Sequence, residues 1–281
     1  MAYRAGFIGA TTGDATDWVG EQVQDAKKIC VPFTGTGKDI SSMLGAGRMI
    51  ESWDTQVYSR YIVEGIFAAP EVESAVDKIR YKKGIAYEAR GIKNIDERCA
   101  GFIDWVVANG TSFDKATLAS AIVRSTLMGR MTQWYVNMEQ LWGRFNKMRA
   151  YNAEWVNRPG TFVHHEASVF DVFPGGSYDL VQIDSPKIVV GTDVYYSNFR
   201  SLNTILEGKV ELPKWTSKDV MKHFRRLNEI DAKRIVFLYV SGVTPSYEEV
   251  KDMLLENGTL EDERSFKHKS RIDYGLVIRR N

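Results

Sequence analysis

The stretch from Lys28 to Lys38, KICVPFTGTGK, constrains the fold of this 281-residue chain more than any other. Lys28 to Phe33 is β-branched and apolar, which is typical of a buried strand, and Thr34-Gly35-Thr36-Gly37 predicts a tight turn. A helical pattern begins at Asp39. A strand that turns through glycines into a helix is where α/β proteins bind polar ligands, because glycine lets the backbone approach the ligand closely.

A second strand is predicted from Arg48 to Trp53, and an acidic residue, Asp54, follows it directly. Asp54 comes 19 positions after Gly35, a usual spacing for a carboxylate that accepts hydrogen bonds from a ribose diol. An ordinary loop acid or helix cap at Asp54 fits the same pattern. The glycine turn and the acid together indicate a nucleoside-binding α/β domain.

The composition is that of a globular protein, with 44% hydrophobic residues and a formal net charge of +1. The two cysteines, Cys30 and Cys99, cannot form a disulfide framework, and Cys30 reads as a buried thiol in the first strand. No apolar run is long enough to span a membrane and the N-terminus lacks a signal-peptide pattern, so we expect a cytoplasmic protein. His164 and His165 are adjacent on a predicted strand and should face opposite ways, so no metal site is predicted.

Strands and helices alternate over residues 1–70 and 159–281, whereas the pattern of residues 71–158 predicts three helical stretches and no strand. The sequence therefore predicts a doubly wound, mostly parallel α/β sheet, interrupted by a helical insertion at 71–158. Residues 75–160 carry 14 Lys or Arg against 8 Asp or Glu. The basic residues of the last stretch, which are interleaved with aromatic ones, are Arg130, Arg144, Lys147 and Arg149. They fit either a solvated face over an aromatic core or a surface for phosphates and bases.

Two later strands are predicted to end in carboxylates. One runs from Val163 to Phe170 and ends at Asp171, and the other runs from Tyr178 to Asp184. Carboxylates at the carboxyl ends of parallel strands lie where doubly wound sheets place their active sites. Either acid is also readable as a simple loop or capping residue.

Two familiar glycine-loop ligands do not fit the turn. A phosphate-binding Walker loop needs a glycine where Pro32 stands and a serine or threonine where Asp39 stands. A dinucleotide fold needs a third glycine where Ile40 stands.

The segment Pro32-Phe33-Thr34-Gly35-Thr36-Gly37 resembles motif I of the Dam-like DNA adenine-N6 methyltransferases, which bind S-adenosylmethionine. This resemblance implies a Rossmann-like methyltransferase fold in which Pro32, Phe33, Gly35 and Gly37 surround the cofactor. It implies that Asp54 holds the cofactor ribose and that Asp171 lies near the cofactor adenine. It also makes residues 71–158 a target-recognition domain.

YDLVQIDSP, from Tyr178 to Pro186, is similar to the strand that ends in the family's catalytic Asp-Pro-Pro-Tyr. Here the motif reads Asp184-Ser185-Pro186-Lys187. In the family, the aspartate and a proline-bound carbonyl accept hydrogen bonds from the adenine amine, while the aromatic residue stacks on the flipped base. Lys187 cannot stack in this way, and Ser185 lacks the ring that stiffens the turn. The glycine-rich segment Gly6 to Gly13 also lacks the lysine usual in the family.

The resemblance implies transfer of a methyl group to the exocyclic amine of a flipped adenine in double-stranded DNA, with Asp184 orienting the amine. The altered motif leaves a second reading open, in which the chain keeps the fold and acts as a DNA- or partner-binding module without catalysis. A third reading keeps the cofactor and changes the acceptor to RNA or a modified base.

Overall fold

The computed structural model describes residues 13–76, 95–127, 130–134, 136–184, 202–207, 220–268 and 271–281. A seven-stranded sheet forms its centre. The strands of this sheet are β1 (Lys28–Val31), β2 (Met49–Trp53), β5 (Thr161–His165), β6 (Tyr178–Asp184), β7 (Ala232–Val240), β8 (Gly258–His268) and β9 (Arg271–Arg280).

The strand order is β5-β2-β1-β6-β7-β9-β8, and all pairings from β5 through β7 are parallel. The chain winds outward from β1 to one edge, returns, and continues from β6 on the other side. The prediction of a doubly wound, mostly parallel α/β sheet is therefore confirmed. Ligands of such sheets bind where the winding direction changes, beyond the carboxyl ends of β1 and its neighbours.

The last two strands form an antiparallel hairpin on the far side of β7. The alternation of Tyr274, Leu276 and Ile278 in the sequence predicts a final strand, and β9 confirms it. β8 was not predicted, because most of its described side chains are exposed and carry no apolar pattern.

Helices cover both faces of the sheet. Those before the insertion are α1 (Gly13–Gln22), α2 (Lys38–Met43) and α3 (Val57–Ile62), and a π-helical segment, Val63–Phe67, continues α3. Residues 202–207 form a short helix, α7, and α8 (Val220–Leu227) and α9 (Tyr247–Leu255) follow. The capping box that predicts the start of α9 is present at Ser246 and Glu249. No helix in the described ranges has the length and apolar character to cross a membrane.

The insertion contains α4 (Glu97–Asn109), α5 (Ser112–Val123) and α6 (Met138–Ala153). The sequence from Thr111 to Asp114 predicts a capping box, and the structure has this box at the start of α5. The expectation of an insertion without strands was wrong, because β3 (Thr126–Leu127) and β4 (Arg130–Trp134) form a small antiparallel hairpin between α5 and α6.

The insertion packs directly onto the sheet domain. One cluster of buried residues includes Ile40 and Ile62 from the sheet domain together with Phe102, Leu118 and Phe145 from the insertion. Gly65 makes this close approach possible, because a side chain there would collide with the backbone of α5. The insertion is therefore seated on the helix that follows β2.

Candidate functional site

The glycine turn after β1 is tied to the end of β2 by backbone and side-chain hydrogen bonds. The Thr34 N–H donates to the Trp53 carbonyl at 2.9 Å, and the Thr34 hydroxyl donates to the same oxygen at 3.1 Å. Gly35 and Gly37 have φ values of +52° and +71°, a region that favours glycine. The turn therefore has a defined conformation, which hydrogen bonds to the end of β2 hold at the carboxyl edge of the sheet.

Asp54 closes this turn from the side of β2. One carboxylate oxygen accepts the Gly35 N–H at 2.7 Å, and the other accepts the Gln56 N–H at 2.8 Å. Removal from bulk water raises the pKa of Asp54 to about 6, although these two hydrogen bonds and the hydroxyl of Ser59 oppose the rise. At neutral pH Asp54 is therefore ionised, and its carboxylate holds the turn through these two bonds.

The strand register brings Asp184 to the same edge. Val31 of β1 lies opposite Ser52 of β2, and Cys30 lies opposite Val181 of β6. Continuing both registers beyond the strand ends puts Phe33 level with Asp54 on one side and with Asp184 on the other. Asp184 is partly exposed at the last position of β6. Ser185, Pro186 and Lys187 lie outside the described residues.

A second carboxylate, Asp39, lies in the first turn of α2, just after the glycine turn. Asp39 of α2 accepts hydrogen bonds from the Thr16 hydroxyl of α1 at 3.3 Å and from the Gln182 amide at 3.0 Å. Gln182 is fully buried and lies two residues before Asp184 on β6. Asp39 therefore links α1, α2 and β6. The sequence gives little sign of this role, because the partners are 23 and 143 residues away.

Pro32 and Phe33 complete the predicted cofactor segment. Pro32 is buried, while Phe33 is partly buried, with its ring centre 6.5 Å from that of Phe170. Phe170 in turn stacks on His223 of α8 at 4.3 Å. These contacts pack the connection between β5 and β6 against the side of the glycine turn.

The prediction that Asp171 ends a strand was wrong. β5 stops at His165, and the chain then turns, because the N–H groups of Asp171 and Val172 both donate to the Ser168 carbonyl. Asp171 is exposed, next to the Phe170 that contacts Phe33. Its assignment to the cofactor adenine stays a prediction.

The two adjacent histidines face opposite sides of the sheet, as expected. His164 bonds to the Ser52 hydroxyl at 2.9 Å, and burial lowers its pKa to about 4. His165 lies 3.0 Å from the Glu51 carboxylate and stacks on Trp53 with a ring separation of 4.6 Å. Neither histidine is part of the turn that holds Gly35.

A cleft of about 350 Å³ lies elsewhere, beside the residues that precede β2 and β5. Its lining includes Leu44, Trp155, Arg158 and Pro159. These positions belong to the amino-terminal side of the sheet, whereas ligands of doubly wound sheets bind at the carboxyl side. The cleft is therefore not the candidate site.

No protein-family model matches the sequence, and no curated protein does. Among solved structures, the chain is similar to TrmN from Thermus thermophilus, with 10% identity and a TM-score of 0.40 over 99% of this chain and 51% of TrmN. It is similar to magnesium protoporphyrin IX methyltransferase (ChlM) from Synechocystis PCC 6803 with bound SAM, with 8% identity and a TM-score of 0.41 over 99% of this chain and 88% of that one. TehB from Haemophilus influenzae matches with 8% identity and a TM-score of 0.38 over 97% of this chain and 63% of TehB. The chain thus spans about half the length of TrmN. The assignment of a doubly wound α/β fold rests on the strand order.

Proposed function

We propose that this chain is an S-adenosylmethionine-dependent methyltransferase that modifies the exocyclic amine of adenine in double-stranded DNA. The observation that carries the proposal is the bond between the Asp54 carboxylate and the Gly35 N–H. It lies at the turn where a dinucleotide or triphosphate would place a phosphate group. The carboxylate already occupies this donor, so a phosphate would meet a like charge.

A nucleoside without phosphates fits the same turn better. Ribose hydroxyls can donate hydrogen bonds to Asp54, because its carboxylate keeps free lone pairs after accepting two backbone N–H groups. An added Cβ on Gly35 would meet no atom of the described residues within 4 Å, so the turn leaves room for a ligand beside Gly35. A cationic sulfonium nucleoside is also favoured by two carboxylates: Asp54 directly follows β2, Asp184 ends β6, and these two strands flank β1.

S-adenosylmethionine would supply an activated methyl group at this edge of the sheet. Asp184 would accept a hydrogen bond from the adenine amine and so keep the nitrogen lone pair directed at the methyl group. Asp54 and Gly35 would hold the nucleoside, and Phe33 would pack against it. Ser185, Pro186 and Lys187 are proposed to complete the acceptor side, as the resemblance implies.

The insertion is the proposed DNA-binding part. Lys147 is exposed on α6, and Trp142 on the same helix is 36% exposed. A basic helix that also exposes an aromatic ring suits contacts with phosphates and bases. Lys147→Ala should weaken DNA binding about equally for all sequences and reduce the salt dependence of binding by about one counterion.

Calorimetry with S-adenosylhomocysteine tests the cofactor assignment. We expect micromolar binding by the wild-type protein and loss of binding in Asp54→Ala, because the variant removes both the ribose acceptor and the bond to Gly35. Absence of binding by the wild-type protein would overturn the proposed function.

Methyl transfer to adenine-unmethylated duplex DNA tests the reaction. Asp184→Ala should abolish transfer and leave S-adenosylhomocysteine binding near the wild-type level. Asp179→Ala is the matched control, because Asp179 lies on the same strand but pairs with Lys233 at 2.7 Å, five residues before Asp184. Cofactor binding without any transfer by the wild-type protein would instead favour the binding-module reading, which the Ser185 and Lys187 substitutions motivate.

A further inference from the structure

Both polar backbone groups of Gly35 are bound by the segment that follows β2. The Gly35 N–H donates to Asp54 at 2.7 Å, and the Gly35 carbonyl accepts the Ser59 hydroxyl at 2.7 Å. Ser59 is a fully buried residue of α3. The residue with φ of +52° is therefore held from two directions by one short stretch of chain.

The Ser59 bond differs from the usual bond of a buried helical serine. Such a hydroxyl normally donates to the carbonyl of its own helix, four residues earlier. Ser125, two residues after the end of α5, makes the same kind of local bond, with its hydroxyl 2.7 Å from the Ala121 carbonyl four residues earlier. Ser59 instead reaches out of α3 to a residue 24 positions earlier in the chain. The same hydroxyl also lies close enough to Asp54 to lower the pKa of that carboxyl.

We propose that Ser59 is a positioning residue for the nucleoside site, which together with Asp54 fixes the Gly35 backbone before the ligand arrives. This inference rests on the proposed function, since it assigns Ser59 to the same turn. Glycine has access to many backbone conformations, so an unrestrained Gly35 would have to be ordered on binding, and this ordering would weaken affinity. Ser59 thus strengthens nucleoside binding through the Gly35 backbone, without contacting the ligand itself.

Ser59→Ala and Ser125→Ala form a matched pair for the test. Each variant removes one buried hydroxyl that donates to a backbone carbonyl at the same distance of 2.7 Å, so both should lower the urea midpoint by similar amounts. Only Ser59→Ala should weaken S-adenosylhomocysteine binding, by about 3- to 10-fold, as expected for loss of one such bond. Equal affinity of the two variants would overturn the positioning role.

Hydrogen exchange of the Gly35 amide gives a readout that needs no ligand. Labelling threonine carbonyls with ¹³C and glycine nitrogens with ¹⁵N selects the Thr-Gly pairs, which are Thr12-Gly13, Thr34-Gly35 and Thr36-Gly37. We expect a protected Gly35 amide in the wild-type protein and in Ser125→Ala, with exchange at least several-fold faster in Ser59→Ala. If the wild-type protein binds no S-adenosylhomocysteine, the proposed function fails, and hydrogen exchange of the Gly35 amide is then the test of whether Ser59 fixes this turn. Unchanged exchange in Ser59→Ala would refute the inference.

Discussion

Replacing Gly37 with alanine should destabilise the protein far more than the same change at Gly35, although both glycines belong to one turn. An alanine at Gly37, where φ is +71°, costs roughly 1–2 kcal/mol in backbone strain. Its Cβ would also lie 2.5 Å from Cε2 of Phe67 and 3.0 Å from Cγ2 of Ile62. Overpacking of this kind costs roughly 1–3 kcal/mol more, so the total is about 2–5 kcal/mol.

Gly35 provides the matched comparison. Its φ of +52° carries a similar backbone cost, but its Cβ would meet nothing within 4 Å among the described residues. We therefore expect Gly35→Ala to cost only about 1–2 kcal/mol. Binding should respond in addition, because the new methyl group would occupy space that the proposed nucleoside needs.

Urea unfolding followed by far-UV circular dichroism measures the difference. With equal m-values, the midpoints of the two variants convert directly into a difference in unfolding free energy of roughly 1–3 kcal/mol. A Gly37→Ala protein as stable as Gly35→Ala would show that the packing of Phe67 and Ile62 against the turn is not what the geometry indicates.

Three further predictions concern ionisable groups. S-adenosylhomocysteine binding should weaken below about pH 6 in a calorimetric titration, because Asp54 with its pKa raised to about 6 becomes protonated and loses acceptor capacity. The folded-state pKa of His164, about 4, lies below its usual 6.5, so the free energy of unfolding should fall as the pH falls from about 6.5 to 4. In urea unfolding, the fall should be smaller by about 3 kcal/mol in His164→Gln than in the wild-type protein, because glutamine does not titrate. Asp114 is buried and accepts the Ser74 hydroxyl at 2.6 Å and the Ala75 N–H at 2.7 Å, so Asp114→Ala should cost about 2–4 kcal/mol by the same assay.

Asp54 has a second effect on stability with the opposite sign. Its folded-state pKa, about 6, lies above the ordinary value of 3.8, so its ionisation destabilises the folded protein as the pH rises from about 4 to about 6. In the wild-type protein this partly offsets the contribution of His164 over the same range. Asp54→Asn should therefore show a steeper gain in stability with pH than the wild-type protein.

The parts of the fold that could be predicted are those with strong local signals. The apolar run of β6 was predicted over its observed length, Tyr178–Asp184. The capping boxes at Thr111 and Ser246 were likewise predicted and are present. Such patterns arise because burial and helix capping act over a few neighbouring residues.

The parts that were missed either lack a local signal or depend on distant contacts. β4 carries the sequence RMTQW and, among the described residues, pairs only with the two-residue β3, so no alternation identifies it. The strand predicted through Phe170 stops five residues earlier, at His165, because its partner β2 ends opposite it at Trp53 and the chain then turns at Ser168. Ser59 looks like any small residue on a helix, and only the folded chain brings its hydroxyl to Gly35.

The pairing of β2 with β5 has a consequence for how the chain folds. β2 ends at Trp53 and its neighbour β5 begins at Thr161, so this pairing closes a loop of roughly a hundred residues. Closing such a loop in a flexible chain costs about 4 kcal/mol in entropy. Condensation of the insertion onto the helix after β2, through Gly65, shortens the effective loop before the edge strand is added. We therefore expect β5 to join the sheet late, after the insertion has folded, and we expect a chain in which a short linker replaces the insertion to form this pairing at a lower entropic cost.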